Sequence, residues 1–355
     1  KFELTVDDMI DILVQRVYQS FLGLGPLDEL YEQSIDGIRG GTRGIPESVA
    51  VDFQVQDFYG NWINPPRDFD ACTVFHKGIS LNMEFMSFGS SLELRRICEN
   101  VYTYKAPYQL NRRRGFVVSQ LADNSRVVVV SPEFAESFGF FIRKFDGGLV
   151  DIKTLFEGQG NAEMMVEWMD LFAKGGIFTI FTGAQGSGKT TMMRAAIAYF
   201  YHWWALRIQD GSAFELWIRK SFYWRDGMAF RETDNISSLE GLVLQKKTDG
   251  TANLVAEAAD AEQFSNAIET SGVGSLFSWT THHANTPEAL MDAGVDSLIR
   301  VGLQVDPGRA ERYLVGRLKA NPHLVNELGN RYMERFTEFI PLNIEPYPNT
   351  YKAAA

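Results

Sequence analysis

The segment Gly183-Ala184-Gln185-Gly186-Ser187-Gly188-Lys189-Thr190 carries the residue types that grip a phosphate chain. Glycines let the backbone curl until successive N–H groups point inward at anionic oxygens. Lys189 can reach the β- and γ-phosphates, and the Thr190 hydroxyl can face a Mg2+ ion. The spacing satisfies GxxxxGK[ST], a pattern that needs a strand before the loop and a helix after it. Ile177–Phe181 is an apolar run of buried-strand type, and Thr190–Tyr201 reads as a helix. A helix starting after Gly188 adds the partial positive charge of its N-terminus. The segment therefore predicts binding of ATP and Mg2+, with Gly183, Gln185, Gly186, Ser187, Gly188, Lys189, Thr190 and Thr191 against the nucleotide.

Three further groups follow in order. Gln209-Asp210-Gly211-Ser212-Ala213-Phe214-Glu215-Leu216 is an acidic segment. Leu254-Val255-Ala256-Glu257 reads as a strand ending on a carboxylate, and Thr280-Thr281-His282-His283-Ala284-Asn285-Thr286-Pro287 follows it. This order resembles the type II/type IV secretion ATPase superfamily. There a phosphate loop precedes an acidic "Asp box", a Walker-B-like strand ending in Gly-Glu, and a "His box" reading Thr-x-His-Ala-Asn. Within it the chain is most similar to the Tad/Flp pilus-assembly ATPases of a Gram-positive branch, through Phe230-Arg231-Glu232-Thr233, Gln245-Lys246-Lys247-Thr248-Asp249-Gly250 and Thr281-His282-His283-Ala284. Leu22-Gly23-Leu24-Gly25-Pro26-Leu27, Ser125-Arg126-Val127 and Ile142-Arg143-Lys144-Phe145 match upstream, so the resemblance covers nearly the whole chain.

The resemblance implies an α/β fold: a C-terminal RecA-like P-loop ATPase domain with a parallel-rich sheet, preceded by a smaller α+β, PAS-like domain. It implies catalytic roles for Glu257, Glu215, His283 and Arg231. Glu257 would position the attacking water, and His283 would sense the γ-phosphate, with His282 a neighbour. Asp210, with Thr190, would hold Mg2+. Arg126 and Arg143 would bind nucleotide, because a guanidinium fork fits phosphate oxygens. An arginine of this kind supplied by a neighbouring subunit is an arginine finger. Against each role stands a plainer one: a carboxylate closing a strand, a histidine in a structural hydrogen bond, a solvated arginine. Arg112-Arg113-Arg114 reads as a solvated turn.

The implied activity is ATP hydrolysis by a motor of a pilus-assembly or secretion machine. A homo-hexameric ring is implied, peripheral at the cytoplasmic membrane face and working with an inner-membrane platform protein. The chain departs from the family in two places. Gln209-Asp210 stands where Glu-Asp is common, and Ala256-Glu257-Ala258-Ala259-Asp260 where Gly-Glu-Val-Arg-Gly is common. These departures keep open a nucleotide-binding assembly scaffold with weak or no hydrolysis. A conjugation-type secretion ATPase and a DNA translocase on the same core are further alternatives.

The elements that must position these groups fall into two stretches. Val6, Met9, Ile10, Leu13, Val14, Val17, Tyr18 and Phe21 recur at helical spacing and predict a helix over 6–21 that stops at Gly23-Leu24-Gly25-Pro26. Val49-Ala50-Val51-Asp52-Phe53, Arg126–Val130 and Phe138–Ile142 read as strands, and Ser91–Val101 as a helix with Leu92, Leu94, Ile97 and Val101 on one face. Residues 1–143 are expected to form one domain, 144–150, with Phe145-Asp146-Gly147-Gly148, a linker, and 151–355 the ATPase domain. There, Ala162–Lys174 and Glu262–Thr270 read as helices, and Leu206–Ile208, Ala229–Arg231, Leu254–Ala256 and Ser275–Thr281 as strands. Such alternation predicts a parallel sheet with ligands at the carboxyl ends of its strands.

Composition bounds the remainder. With 355 residues the chain can hold two domains. A formal net charge of −11 disfavours nonspecific binding to nucleic acid, so no nucleic-acid partner is expected. Two cysteines without CxxC spacing give neither a disulfide framework nor a zinc site, and fit a reducing compartment. No apolar run is long enough to span a bilayer. The start lacks both Met and a signal pattern, which suggests missing upstream sequence, and Lys352-Ala353-Ala354-Ala355 reads as a tail.

Overall fold

The computed structural model describes residues 4–103, 109–111, 113–132, 134–144, 150–211, 213–233, 235–272, 275–304 and 306–341. The expected linker residues Phe145-Asp146-Gly147-Gly148, together with Arg112 and the tail, lie outside them. The chain divides into two compact units, Lys1–Asp146 and Gly147–Ala355.

In the first unit, β1 (Gly37–Gly40), β4 (Cys72–His76), β5 (Ile79–Asn82), β6 (Phe116–Gln120), β7 (Arg126–Val130) and β8 (Gly139–Arg143) form an antiparallel sheet in the order β5-β4-β1-β8-β7-β6. The short strands β2 (Val55–Gln56) and β3 (Trp62–Ile63) pair separately. Strand alternation buries Val127 and Val129 of β7 against Leu94, Ile97 and Val101 of α3 (Ser91–Thr103). Helices α1 (Val6–Phe21) and α2 (Asp28–Tyr31) precede the sheet. A capping box between Thr5 and Asp8 starts α1, and the Gly23 N–H closes it on the Tyr18 carbonyl.

Two expectations fail here. Residues 49–53 form no strand, because their alternating apolar side chains meet no partner strand; the Val49 N–H turns back to the Pro46 carbonyl instead. Leu92 is exposed, since α3 offers the sheet a narrower face than the spacing suggested. The apolar residues of α1 form a helix as expected, yet all eight are exposed and Gln19 is its only buried residue.

In the second unit seven strands follow the order β11-β10-β12-β13-β9-β14-β15. They are β9 (Thr179–Gly183), β10 (Leu206–Gln209), β11 (Gly227–Phe230), β12 (Ala252–Val255), β13 (Phe277–His282), β14 (Ala320–Glu327) and β15 (Asn330–Glu338). Every pairing is parallel except the β14–β15 hairpin. One face of the sheet packs Phe181 and Trp279 against α5 (Ala162–Gly175) and α6 (Lys189–Ile197), with α4 (Ile152–Phe156) beside them. The other packs Phe178 and Ile180 against α9 (Ala261–Thr270), α10 (Pro287–Arg300) and α11 (Pro307–Arg317). Consecutive β9 residues thus serve opposite layers, as a doubly covered parallel sheet requires. Short α7 (Ile218–Ser221) and α8 (Ser238–Gln245) complete the unit. The helix expected over 190–201 ends at Ile197, in a turn that seats Phe200 against Trp279. Among the described residues no helix is long and apolar enough to cross a membrane.

Candidate active site

Strand β9 is buried throughout and delivers Gly183 to the carboxyl end of the sheet. Gly183 (φ 144°) leaves no room for a side chain, because a Cβ would collide with the Leu324 carbonyl of β14. Gly186 (φ 76°) and Gly188 (φ 96°) also take left-handed backbone, and Gly188 caps α6. The predicted loop between a strand and a helix is therefore formed. Ser187 is fully buried and its Oγ has no hydrogen-bond partner among the described residues. Thr190 and Thr191 are half-buried on the first turn of α6, and Gln185 is exposed.

Lys189 is only 7 % exposed. Its Nζ donates to the carbonyls of Gly183 and Ala184, both at 3.0 Å, and lies 3.4 Å from His283 Nδ1. His283 Nε2 lies 2.7 Å from Glu257 Oε1. An ammonium has only protons to give, so Nδ1 accepts and Nε2 carries the proton donated to the carboxylate. A neutral imidazole in one tautomer thus joins the loop lysine to the glutamate after β12. Strand β13 positions this histidine, and the Thr281 hydroxyl ties it to β12 by donating to the Ala256 carbonyl at 2.7 Å. His282 faces elsewhere: its ring stacks on Phe264 with centroids 4.4 Å apart, and Nδ1 lies 2.7 Å from the Ala258 carbonyl. Burial lowers its pKa, so it remains neutral.

One strand further out, β10 ends in Gln209, and Asp210 follows it. Asp210 is 1 % exposed, and the Leu216 and Glu215 amides face its carboxylate and favour its ionised form. Burial first, then the charge of Glu215, holds its pKa well above the usual carboxylate range. Gln209 donates from Nε2 to the Asp210 carbonyl at 2.8 Å, while its Oε1 is left without a partner. A buried carboxylate is costly unless a cation or a proton joins it. Among the described residues no three His, Cys, Asp or Glu converge on a metal site. Strand β10 stands three places from β9, roughly 14 Å at ordinary strand spacing, so Asp210 and the Thr190 hydroxyl do not follow neighbouring strands.

The predicted arginines belong to other elements. Arg126 and Arg143 are direct register partners on β7 and β8 in the first unit. Arg231 follows β11, its guanidinium 5.4 Å from the Phe214 ring centroid. Strand β11 is four places from β9, roughly 19 Å at ordinary strand spacing. Sequence reasoning missed the contribution of β14 and β15. Asn326 Nδ2 and Arg331 Nε both donate to the Gly186 carbonyl, at 3.2 and 3.0 Å. Behind the loop, Asn321 Nδ2 donates to Thr182 Oγ1 at 2.9 Å, and His323 Nδ1 lies 2.9 Å from the same hydroxyl. The available signal was the Gly329 turn between two candidate strands.

In fold the chain is similar to the pilus retraction motor PilT with bound ADP, at 15% identity over 85% of this chain and 77% of that one, with a TM-score of 0.56. It is similar to the ATPase DotB of Legionella pneumophila at 15% identity over 96% and 83%, with a TM-score of 0.54. For DotB of Yersinia pseudotuberculosis the values are 13%, 96% and 81%, with a TM-score of 0.56. No protein-family model and no curated protein matches the chain. The fold is thus α/β, an N-terminal domain followed by a RecA-like domain with a parallel-rich sheet.

Proposed function

We propose that the chain is an ATP-hydrolysing motor of a bacterial pilus-assembly or secretion machine of the Tad/Flp kind. The observation that carries this reading is the link from Lys189 through His283 to Glu257, which wires a phosphate-binding loop to a carboxylate able to orient water. The similarity in fold to a pilus retraction motor and to two DotB ATPases supports it.

The loop amides and the N-terminus of α6 receive the β- and γ-phosphates. Lys189 then exchanges its bond to His283 for one to phosphate. His283 keeps Glu257 by Nε2, and Glu257 orients the attacking water and receives its proton. Thr190 and Asp210 are the residues that would hold Mg2+, which when bound would supply positive charge to the phosphates. Loss of the γ-phosphate returns Lys189 to His283, so the histidine registers the product state through a change of partner. Work is delivered by a homo-hexameric ring at the cytoplasmic membrane face, engaging an inner-membrane platform protein.

A second reading, a nucleotide-binding scaffold with weak hydrolysis, draws on the unpartnered Gln209 Oε1, where the family has an acid. Steady-state phosphate release separates the two. Lys189→Ala is expected to weaken ATP binding at least tenfold. Glu257→Gln should retain binding and lose about a hundredfold or more in turnover, and His283→Ala should impair turnover more than His282→Ala does. Turnover unchanged in Glu257→Gln would remove the carboxylate from the mechanism, and absent turnover with intact ATP binding in the parent chain would favour the scaffold.

A further inference from the structure

The carbonyl of Gly186, at the crown of the phosphate-binding loop, faces the β14–β15 hairpin and not the solvent. Two donors meet it: Asn326 Nδ2 at 3.2 Å and Arg331 Nε at 3.0 Å. A carbonyl oxygen has two lone pairs, and here each finds a donor. Asn326 and Arg331 are direct cross-strand partners, so their side chains project from the same face of the hairpin. The turn between them holds this register: Leu328 (φ 52°) and Gly329 (φ 90°) are both left-handed, as a two-residue I′ loop demands. The Gly329 N–H donates to Asn326 Oδ1 at 3.0 Å and fixes which end of the amide faces the loop.

We propose that Asn326 and Arg331 form a two-donor clamp that presets the phosphate-binding loop, and that both are positioning residues for the nucleotide. This inference rests on the ATP reading above. A trans peptide is rigid, with its C=O and N–H on opposite sides. Holding the Gly186 carbonyl toward the hairpin therefore holds the Ser187 N–H toward the interior of the loop, where it donates to the Ala184 carbonyl at 3.3 Å. Gly186 has a free choice of backbone conformation when unconstrained, and Arg331 also flanks Gly188, where a Cβ would stand 3.6 Å from Arg331 Cδ. The clamp removes that freedom before nucleotide arrives, and a site ordered in advance loses less entropy on binding.

The test uses the full chain with Asn326→Ala, Arg331→Ala, the double variant and Arg331→Lys. The readouts are the Kd for ATP and for ADP, KM and kcat for phosphate release, amide exchange of residues 184–188 without nucleotide, and Tm. Each alanine variant is expected to raise both Kd values about five- to tenfold and to raise KM more than it lowers kcat. Exchange at 184–188 should quicken while Tm stays within a degree or two. The double variant should lose less than the product of the singles, because the two donors share one acceptor. Arg331→Lys retains the charge and should recover only part of the affinity. Asn326→Ala changes no charge, so its loss of affinity cannot come from attraction to phosphate alone. The clamp is overturned if Asn326→Ala leaves Kd within twofold and exchange unchanged. It is equally overturned if Tm falls in step with affinity and exchange quickens along all of β14 and β15. A parent chain that binds no nucleotide would sink the ATP reading, while exchange in the nucleotide-free variants would still decide the clamp.

Discussion

Lys189, His283 and Glu257 are far apart in sequence but declare themselves by type, because few residues can hold phosphate, sense it and orient water. Asp210 could not be understood that way. Resemblance marks Gln209-Asp210-Gly211 as part of an acidic segment, and only the fold shows that the carboxylate is buried. Burial and Glu215 raise its pKa from the ordinary 3.8, so the folded chain holds this proton more tightly than the unfolded chain. Stability contributed at Asp210 is therefore greatest below 3.8 and is lost as pH rises toward the raised folded value. Asp210→Asn removes that dependence. Thermal melts should show the variant more stable than the parent at pH 7–8, by about 2–4 °C for each kcal/mol relieved, and similar to it at pH 4. Adding ATP and Mg2+ should raise the Tm of the parent more than that of the variant. A variant that melts no higher at pH 8 would show that the fold already neutralises this carboxylate without strain.

At the scale of elements, local pattern found what local forces build. Strands β9, β12 and β13 announce themselves as short apolar runs, and α1, α3 and α5 by helical spacing. Strand β14 did not, because Ala320-Asn321-Pro322-His323 is a poor strand sequence. It is buried all the same, and tertiary contacts satisfy its polar groups: Asn321 bonds the Ile180 carbonyl at 2.7 Å and His323 the Thr182 hydroxyl at 2.9 Å. These partners lie 141 residues away, beyond any window of sequence pattern. The reverse error at 49–53 has the same origin, since an alternating segment is a strand only if another strand accepts it. The β14–β15 turn retains one local conflict. Leu328 is left-handed and 93 % exposed, so its side chain gains nothing from packing while its backbone is strained. Asparagine tolerates this conformation and is preferred before glycine in a I′ turn. Leu328→Asn should therefore stabilise the second unit by about 0.5–1.5 kcal/mol, read from the denaturant midpoint at unchanged m-value. A lower midpoint would mean that the Leu328 side chain has a partner in the assembled protein.

At the scale of the whole molecule, the sheet places its candidate groups unevenly. The loop, His283 and Glu257 converge around β9, β13 and β12, whereas Arg231 stands beyond the opposite edge strand, four places from β9. One side chain does not cross roughly 19 Å of sheet. That separation favours a nucleotide bound by another copy of the chain, which is the arrangement a closed ring provides. This makes the assembly testable without a view of it. Arg231→Ala and Glu257→Gln chains should each be nearly inactive alone, because each removes one half of every shared site. Mixed in equal amounts and allowed to exchange subunits, they should recover activity, since a random ring places an intact Arg231 beside an intact Glu257 at about a quarter of its interfaces. Recovery should rise with protein concentration and fall when either chain is in excess. If Arg231 acts within its own chain, or only as a structural partner of Phe214, no mixture regains turnover, because no copy then carries both groups intact. Phosphate release across a titration of one variant into the other decides between these outcomes, with light scattering on the same samples to verify that rings form in the presence of ATP.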